Sequence, residues 1–571
     1  MAKTVAHIVV DALEKAGAKR VYGIPGDTIN HFTDAVSKSD LRWITVRHEE
    51  AGAFAAGGES YMTGELSVCA GTCGPGSLHF VNGIYESHRN GAPVLLIASD
   101  VARTESGFNF PQEVDQKKIY EQHSHFCEYI SHPSQARRII TKAAQAALNK
   151  KGVAVVIVNG DMFSEKDADE MDWEVYRPKP VCRPNDQEMT DLAALVDAAK
   201  KVSVYAGIGA RDAREEIMAF CEKVKAPMVH TTRAKEFLEP NNPYNVGVNG
   251  ILGNRAGVEA LENADLVIAI GCDFAYTQYY PESKKIVQID IDPTHLGRRS
   301  AINMGLVGDA KTTLAALVPM VSAKSDTGHL EEYQEQWNKD LEGYLEEGKE
   351  NDPNLIHPQF VANMLDKKAA DDAIFVSDVG TSMVWMLRHL KATGKRRFLN
   401  SLLHGTMANG FPQAMGAKLA YPDRQVIAMC GDGGLTMLMG DLLTLVQEKI
   451  PLKLVVFHNN TLGFVEMEQR VEGLVDHFTG LTNPDFSKLA EACGITGWHV
   501  ENSNDLETAM DAWLAAEGPA LLDVHVNQME LVMPPKIEVS QVASTALFGM
   551  KAVLDGRTKE VVDLLRNNFL R

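Results

Sequence analysis

No two cysteines in this chain form a CxxC pair. The eight present, at positions 69, 73, 127, 182, 221, 272, 430 and 493, are scattered. Cys69 and Cys73 lack the second pair of ligands that a zinc site needs. Such thiols fit a reduced, cytosolic compartment. Basic charge is scarce too: 56 Lys and Arg face 76 Asp and Glu, a formal charge of −20. That excludes the broad basic face of a general nucleic-acid binder, though not a local basic patch. No apolar run reaches the length of a membrane span. The opening "MAKTVAHIVVDALEKAGAKRVYGIPG" has no basic region followed by an apolar core and a cleavage site. It reads as an amphipathic helix, a Gly stop and a strand. The chain is therefore expected to be soluble or, at most, peripheral to a membrane. The dinucleotide fingerprint GxGxxG is also missing.

What the chain does have is regular alternation of strand and helix, the pattern of parallel α/β sheets. Its 571 residues, with ordinary hydrophobic and charged content, suffice for roughly three or four domains. "LSVCAGTCGPG", "APVLLIASD" and "GVAVVIVNGD" read as strands of a first unit, residues 1–180. A Pro- and charge-rich linker follows, Tyr176 to Asp186. "KVSVYAGIGA", "APMVHTT", "ADLVIAIGCDF" and "KIVQIDIDP" belong to a second unit, 187–335. A polar helical stretch leads to a third, 336–532, with "AIFVSDVG", "QVIAMCGDGG", "LKLVVFHNN" and "PALLDVHV". A tail occupies 533–571. The expected architecture is three doubly wound parallel-sheet domains and a C-terminal helical tail.

Two strand ends carry polar clusters. Gly431-Asp432-Gly433-Gly434 follows one strand, and His458-Asn459-Asn460 follows the next. In doubly wound sheets ligands sit outside the carboxyl ends of strands. Glycines there let backbone N–H groups approach phosphate at a helix start. Asp432 would repel that phosphate unless a hard cation with oxygen ligands, magnesium or calcium, lies between them. Taken singly, Asp432 could equally cap a helix, and the Asn pair could form a turn. Together, on adjacent strands, they favour the cation.

The Gly-Asp-Gly followed by an Asn pair resembles the signature of enzymes that use thiamine diphosphate (ThDP). In that family the Asp and the second Asn of the pair bind the metal, 27 positions apart. Counting from Asp432 reaches Asn459. The resemblance therefore implies a Mg2+ site of Asp432, Asn459 and the main-chain carbonyl of Thr461. Asn460 becomes a loop residue, and His458 stands where the family has its first Asn. "ITVRHEEAGAFAAGG" would supply the family's glutamate as Glu49. A carboxyl in an apolar pocket can share a proton with the aminopyrimidine of ThDP. "GIPGD" and "CGPG" resemble active-site loops of the pyrimidine-binding domain. "DVGTS", with Gly380 and Thr381, resembles the turn that contacts the diphosphate, beside Gly433 and Gly434. "HGTMANGFPQAMGA" resembles the segment whose Met, here Met407, wedges the cofactor, with the Gly405 carbonyl on the aminopyrimidine.

From the first helix to the closing "GRTKEVVDLLRNNFLR", the chain is similar to bacterial pyruvate dehydrogenase (quinone), or pyruvate oxidase. That resemblance implies FAD in the middle domain, contacted by Gly207, Gly209, Gly250, Asp273, Asp290 and Asp309. It places Phe464 between ThDP and flavin, and makes Glu468 an active-site acid. The implied reaction takes pyruvate to acetate and carbon dioxide, with electrons passing through FAD to a membrane quinone. A homo-oligomer is implied, a dimer at minimum and a tetramer by expectation, on the inner face of the cell membrane. The tail "KEVVDLLRNNFLR" sets Val561, Leu564, Leu565 and Phe569 on one helical face, with Lys559, Arg566 and Arg571 suited to a lipid surface. The same face could instead pack permanently on the third domain. The family's "FQE" appears as "FPQE", with Pro111 where an aromatic lines the substrate side. Three alternatives stay open: a phosphate- and oxygen-dependent pyruvate oxidase making acetyl phosphate, acetolactate synthase, and a catalytically silent ThDP-fold membrane scaffold.

Overall fold

A computed structural model describes residues 3–167, 173–282, 284–349, 352–475 and 477–530, and beyond these 532, 548, 549, 551, 552, 557, 562, 564 and 568. Among the described residues are a two-stranded antiparallel pair, Lys3–Thr4 with Lys166–Asp167, and three six-stranded parallel sheets with flanking helices. The first runs, in space, Arg42–Thr45, Arg20–Ile24, Ser67–Gly71, Val94–Asp100, Val153–Asn159, Phe126–Tyr129. Its middle is built from the longest apolar runs. Every residue of Val94–Asp100 and Val153–Asn159 is buried, as a parallel sheet covered on both faces requires.

The third sheet runs Arg397–Leu399, Ile374–Ser377, Val426–Gly431, Lys453–His458, Ala520–His525, Thr496–Val500. Numbered along the chain within each sheet, the first and third share one order, 2-1-3-4-6-5. The central sheet differs: Asn245–Val248, Met228–His230, Val202–Ala206, Leu266–Ile270, Lys285–Asp290, Met304–Val307, an order of 3-2-1-4-5-6. Strand order reverses between Ile374–Ser377 and Val426–Gly431 in the third sheet. In the central sheet it reverses between Val202–Ala206 and Leu266–Ile270. These reversals open the crevices where α/β sheets take ligands.

The first and third units are joined by the helix Glu49–Thr63, which lies along the helix Gly410–Ala420. Glycines make that close approach possible. A Cβ on Gly58 would strike the backbone of Gln413, and one on Gly416 the backbone of Ala55. Beside this crossing Glu86 is fully buried. It accepts from Asn90 at 2.6 Å, from Gln413 at 3.2 Å and from the Ser401 hydroxyl. Burial raises its carboxyl to about 7 against the lowering effect of Ser401, Gln413 and the charges of Arg233 and Arg89.

The polar stretch before the third unit is the helix Gly328–Glu347. It runs through position 335, so a joint there would divide it. Its first turns rest on the central unit because His329, Leu330 and Tyr333 are buried. Asn263 donates to the Tyr333 hydroxyl at 2.8 Å. In the tail, Val561, Leu565, Phe569, Lys559, Arg566 and Arg571 lie outside the described residues. Leu564 is buried in a cluster with Phe548 and Ala552, against Met529. Asn568 donates to the Met529 carbonyl at 2.8 Å. No helix among the described residues is long and apolar enough to cross a membrane.

Candidate active site

Pairing of Val426–Gly431 with Lys453–His458 sets Gly431 opposite Phe457, so Asp432 and the segment from His458 leave the sheet side by side. The Asp432 carboxylate is buried. It accepts from the Gly433 N–H at 2.9 Å, the Asn460 N–H at 2.7 Å and Asn483 Nδ2 at 2.8 Å. Burial raises its pKa, and the backbone donors and the charge of His458 pull the other way. All three donors are uncharged, and among the described residues no Lys or Arg pairs with it. A buried carboxylate supported this way suits a hard cation. Asn459 faces the same loop, its Oδ1 accepting from the Thr461 N–H at 3.1 Å. The donor set of carboxylate, amide oxygen and carbonyl oxygen fits Mg2+.

Asn460 adopts φ +57°, a left-handed conformation that Asn tolerates better than most residues. Its Oδ1 accepts from His458 Nε2 at 3.0 Å, while His458 Nδ1 bonds the fully buried Asp523 at 2.9 Å. Burial disfavours a charge on His458, but Asp523 outweighs it and the pKa is raised. His458 thus acts as a strut between Asp523 and the loop of Asn460. Asn483 was not signalled by any sequence motif. It reaches Asp432 from a loop 51 residues on.

The glycines near Asp432 have distinct uses. A Cβ on Gly434 would collide with the carboxylate of Asp378, which is buried and raised to about 7 by that burial, with backbone N–H groups opposing the shift. One on Gly433 would sit 3.3 Å from Met407 Cε, so Met407 lies over the loop. Gly380, at φ +133°, turns the chain into the helix Thr381–His389. Gly405 has φ +71° and open space where a Cβ would be.

Glu49 begins its helix and is buried. His79 Nδ1 stands 2.8 Å from its Oε2, so the pocket is not purely apolar. The imidazoles of His48 and His79 stack at 4.7 Å. They border a cleft of about 520 Å3 lined also by Glu50, Asn82, Tyr85 and His404. Asn82 crosses it, donating to Glu50 at 2.7 Å and to Thr406 at 3.0 Å and contacting His404 Nε2 at 2.8 Å. The segment bearing Gly405 and Met407 is thereby tied to the first unit, near Glu49.

Phe464 is half-buried on the helix Gly463–Val471, packed against a cluster that includes Leu252 of the central unit. Glu468 on the same helix is exposed. Partial burial and then the charge of Glu472 raise its pKa. Gln112 of "FPQE" accepts from Cys73 Sγ at 3.3 Å, seating that loop on "CGPG". Phe110 and Pro111 are exposed there.

In the central unit, Gly207 and Gly209 serve the close approach of two strand ends, since a Cβ on either would strike Gly271. Gly250, at φ +109°, lies against the Phe274 ring. Asp273 is ion-paired to Arg298 and Arg299. Burial would raise its pKa, and the two guanidiniums prevail and lower it. Asp290 is buried at the end of Lys285–Asp290, with the Asp292 N–H at 2.9 Å and His295 Nδ1 at 3.3 Å, both on Oδ1. Asp309 caps the helix Ala310–Leu317 through the Thr312 N–H at 2.8 Å. Asp290 at a strand end, and Asp273 with its two guanidinium partners after the neighbouring strand, lie on the carboxyl side of a 3-2-1-4-5-6 sheet, the side where such sheets take dinucleotides.

Comparison with known proteins matches residues 3–119 to the N-terminal ThDP-binding domain of thiamine pyrophosphate enzymes, 189–317 to their central domain and 378–524 to their C-terminal ThDP-binding domain. The chain is 35 % identical to a Bacillus subtilis protein described as thiamine pyrophosphate-containing, YdaP, over 99 % of both chains. It is 31 % identical to pyruvate oxidase of Lactiplantibacillus plantarum, over 94 % of this chain and 91 % of the relative. It is 30 % identical to the acetolactate synthase large subunit of Corynebacterium glutamicum, over 93 % and 88 %.

Proposed function

The chain belongs to the thiamine pyrophosphate enzyme family, and from that premise we propose that it oxidatively decarboxylates pyruvate to acetate, passing two electrons through FAD to a membrane quinone. The observation that carries this reading is the position of Phe464. Its helix starts at the metal loop, and its ring packs in a cluster shared with Leu252 of the central unit. The helix Gly463–Val471 thus leads from the loop of Asp432 and Asn459 into a cluster that also holds a residue of the central unit.

ThDP supplies the electron sink for loss of the carboxylate, and the chain supplies position and charge. Asp432, Asn459 and the Thr461 carbonyl would hold Mg2+ against its diphosphate. Glu49 is buried at the start of its helix, where it would meet the aminopyrimidine, and His79 orients that carboxyl. Met407 and Gly433 shape the floor. Arg298, Arg299 and Asp290 would hold the flavin dinucleotide, and Glu468, exposed on the helix of Phe464, would be the active-site acid. Met437, Met439, Leu443 and Val446, soon after Asp432 in the chain, are exposed apolar side chains, which supports assembly with a second copy. Peripheral binding to the inner face of the cell membrane through the tail completes the scheme.

The experiment is pyruvate turnover with oxygen, quinone and phosphate varied separately. Quinone-dependent acetate formation is expected. Acetyl phosphate and hydrogen peroxide would mark the phosphate-dependent oxidase. Acetolactate formed from two molecules of pyruvate would mark the synthase reading, which the 30 % identical relative supports.

A further inference from the structure

Three adjacent strands of the third sheet bring an unusual set of side chains to one face. His458 pairs in register with His525, and His499 with Asp523. Side chains alternate along a strand, so Asp523 and His525 share a face, as do His499 and Glu501. The result is three imidazoles and two carboxylates at the carboxyl rim. His525 stands 4.0 Å from the His458 ring and 4.9 Å from that of His499.

We infer that His499, Glu501 and His525 form a second metal site, separate from Asp432, for a divalent transition cation of the zinc class. One ligand atom from each of the three lies within 4.8 Å of the others. His499 Nε2 is 3.2 Å from Glu501 Oε1. Two ligands of one tetrahedral zinc ion, each about 2.1 Å from it, stand about 3.4 Å apart. The independent observation is the support behind His499. Its Nδ1 lies 3.1 Å from a carboxylate oxygen of Asp523, which is fully buried. A metal-binding imidazole commonly donates its other N–H to a carboxylate, which fixes the tautomer and aims the free nitrogen outward. Here the aimed nitrogen is Nε2, towards Glu501 and the solvent rim. Two imidazoles and one carboxylate leave a fourth position for water. Such a set selects zinc, cobalt or nickel over magnesium, which prefers oxygen alone. Bound metal would fasten the strand Thr496–Val500 to its neighbour Ala520–His525, and through Asp523 it would bear on His458 and the Asn460 loop.

The test uses the full chain saturated with Mg2+ and ThDP, titrated with Co2+ and followed by its visible absorption. One equivalent of tetrahedral Co2+ per chain is expected, and Zn2+ should displace it. Glu501→Gln and His525→Gln should each weaken binding at least about tenfold. Asp432→Asn should leave the Co2+ spectrum unchanged, which separates the two sites. Thermal melting of each variant shows whether it is folded. Absence of stoichiometric Co2+ in the wild-type protein would overturn the assignment. So would unchanged binding in a folded Glu501→Gln/His525→Gln double variant.

Discussion

The main-chain N–H of Asn460 donates to the carboxylate of Asp432 at 2.7 Å, across two neighbouring strand ends. Asn460 therefore meets the acid through its backbone, while its side chain faces His458 and Asn483. Asn459 is left as the residue whose amide oxygen can join Asp432 on a cation.

Asn459→Ala should accordingly abolish Mg2+-dependent ThDP retention and turnover, as Asp432→Ala does. Asn460→Gly keeps both the backbone donor and the left-handed conformation and should be mild, and Asn460→Ala adds about 1 kcal/mol of strain. Retention of ThDP after gel filtration measures the difference. Loss at 460 with retention at 459 would reverse the assignment.

Glu49→Gln cannot exchange a proton, so deuterium exchange at C2 of bound ThDP should slow by roughly 100- to 10,000-fold while flavin content is unchanged. His79→Gln removes only the orienting partner and should cost less. If each site is shared between two chains, mixing Glu49→Gln with Asp432→Ala chains should restore part of the activity after subunit exchange. Exchange without recovery would mean that each chain builds its own site.

The buried Glu86 makes stability depend on pH. Its folded-state pKa is raised from 4.5 to about 7, so between those values the native state binds more protons than the unfolded one. Its contribution is fully present below about 4.5 and is lost as pH rises through 7. At about 1.4 kcal/mol per unit the span is on the order of 3 kcal/mol. Chemical denaturation at pH 5 and pH 8 should show a smaller difference in Glu86→Gln than in the wild type. An identical pH slope would assign the effect to other groups.

Deleting residues 561–571 removes Leu564 from its contact with Phe548 and Ala552. Reduction of a soluble artificial acceptor by pyruvate should survive. Lipid binding and quinone reduction in vesicles should be lost. A truncated enzyme that still binds vesicles and reduces their quinone at full rate would leave the tail a packing element only.

The apolar runs that announce central strands were legible in the sequence because both faces of such strands are buried. The strands Phe126–Tyr129, Asn245–Val248, Met304–Val307, Arg397–Leu399 and Thr496–Val500 gave no such signal. Each lies at a sheet edge, where polar residues and short length suffice. The placement of Asp432 and the His458–Asn460 segment at neighbouring strand ends was legible in the sequence, and Asn459 was singled out by the resemblance to the ThDP family. Asn483, Asn82 and His79 were not, because long-range packing alone brings them to the site. The same holds for Asp378 against Gly434, where a Cβ would collide with the carboxylate.

The shared wiring of the first and third sheets speaks to ancestry. After the third strand of one comes Gly71-Thr72-Cys73-Gly74, and after the third strand of the other Gly431-Asp432-Gly433-Gly434. These are equivalent positions in a shared strand order, and only one of them carries an acid. A progenitor pairing two copies of such a unit would begin with twin half-sites facing each other. Retiring the charge from one twin and keeping it in the other turns a symmetric cleft into a polarised one, with an end for anions and an end for a heterocycle.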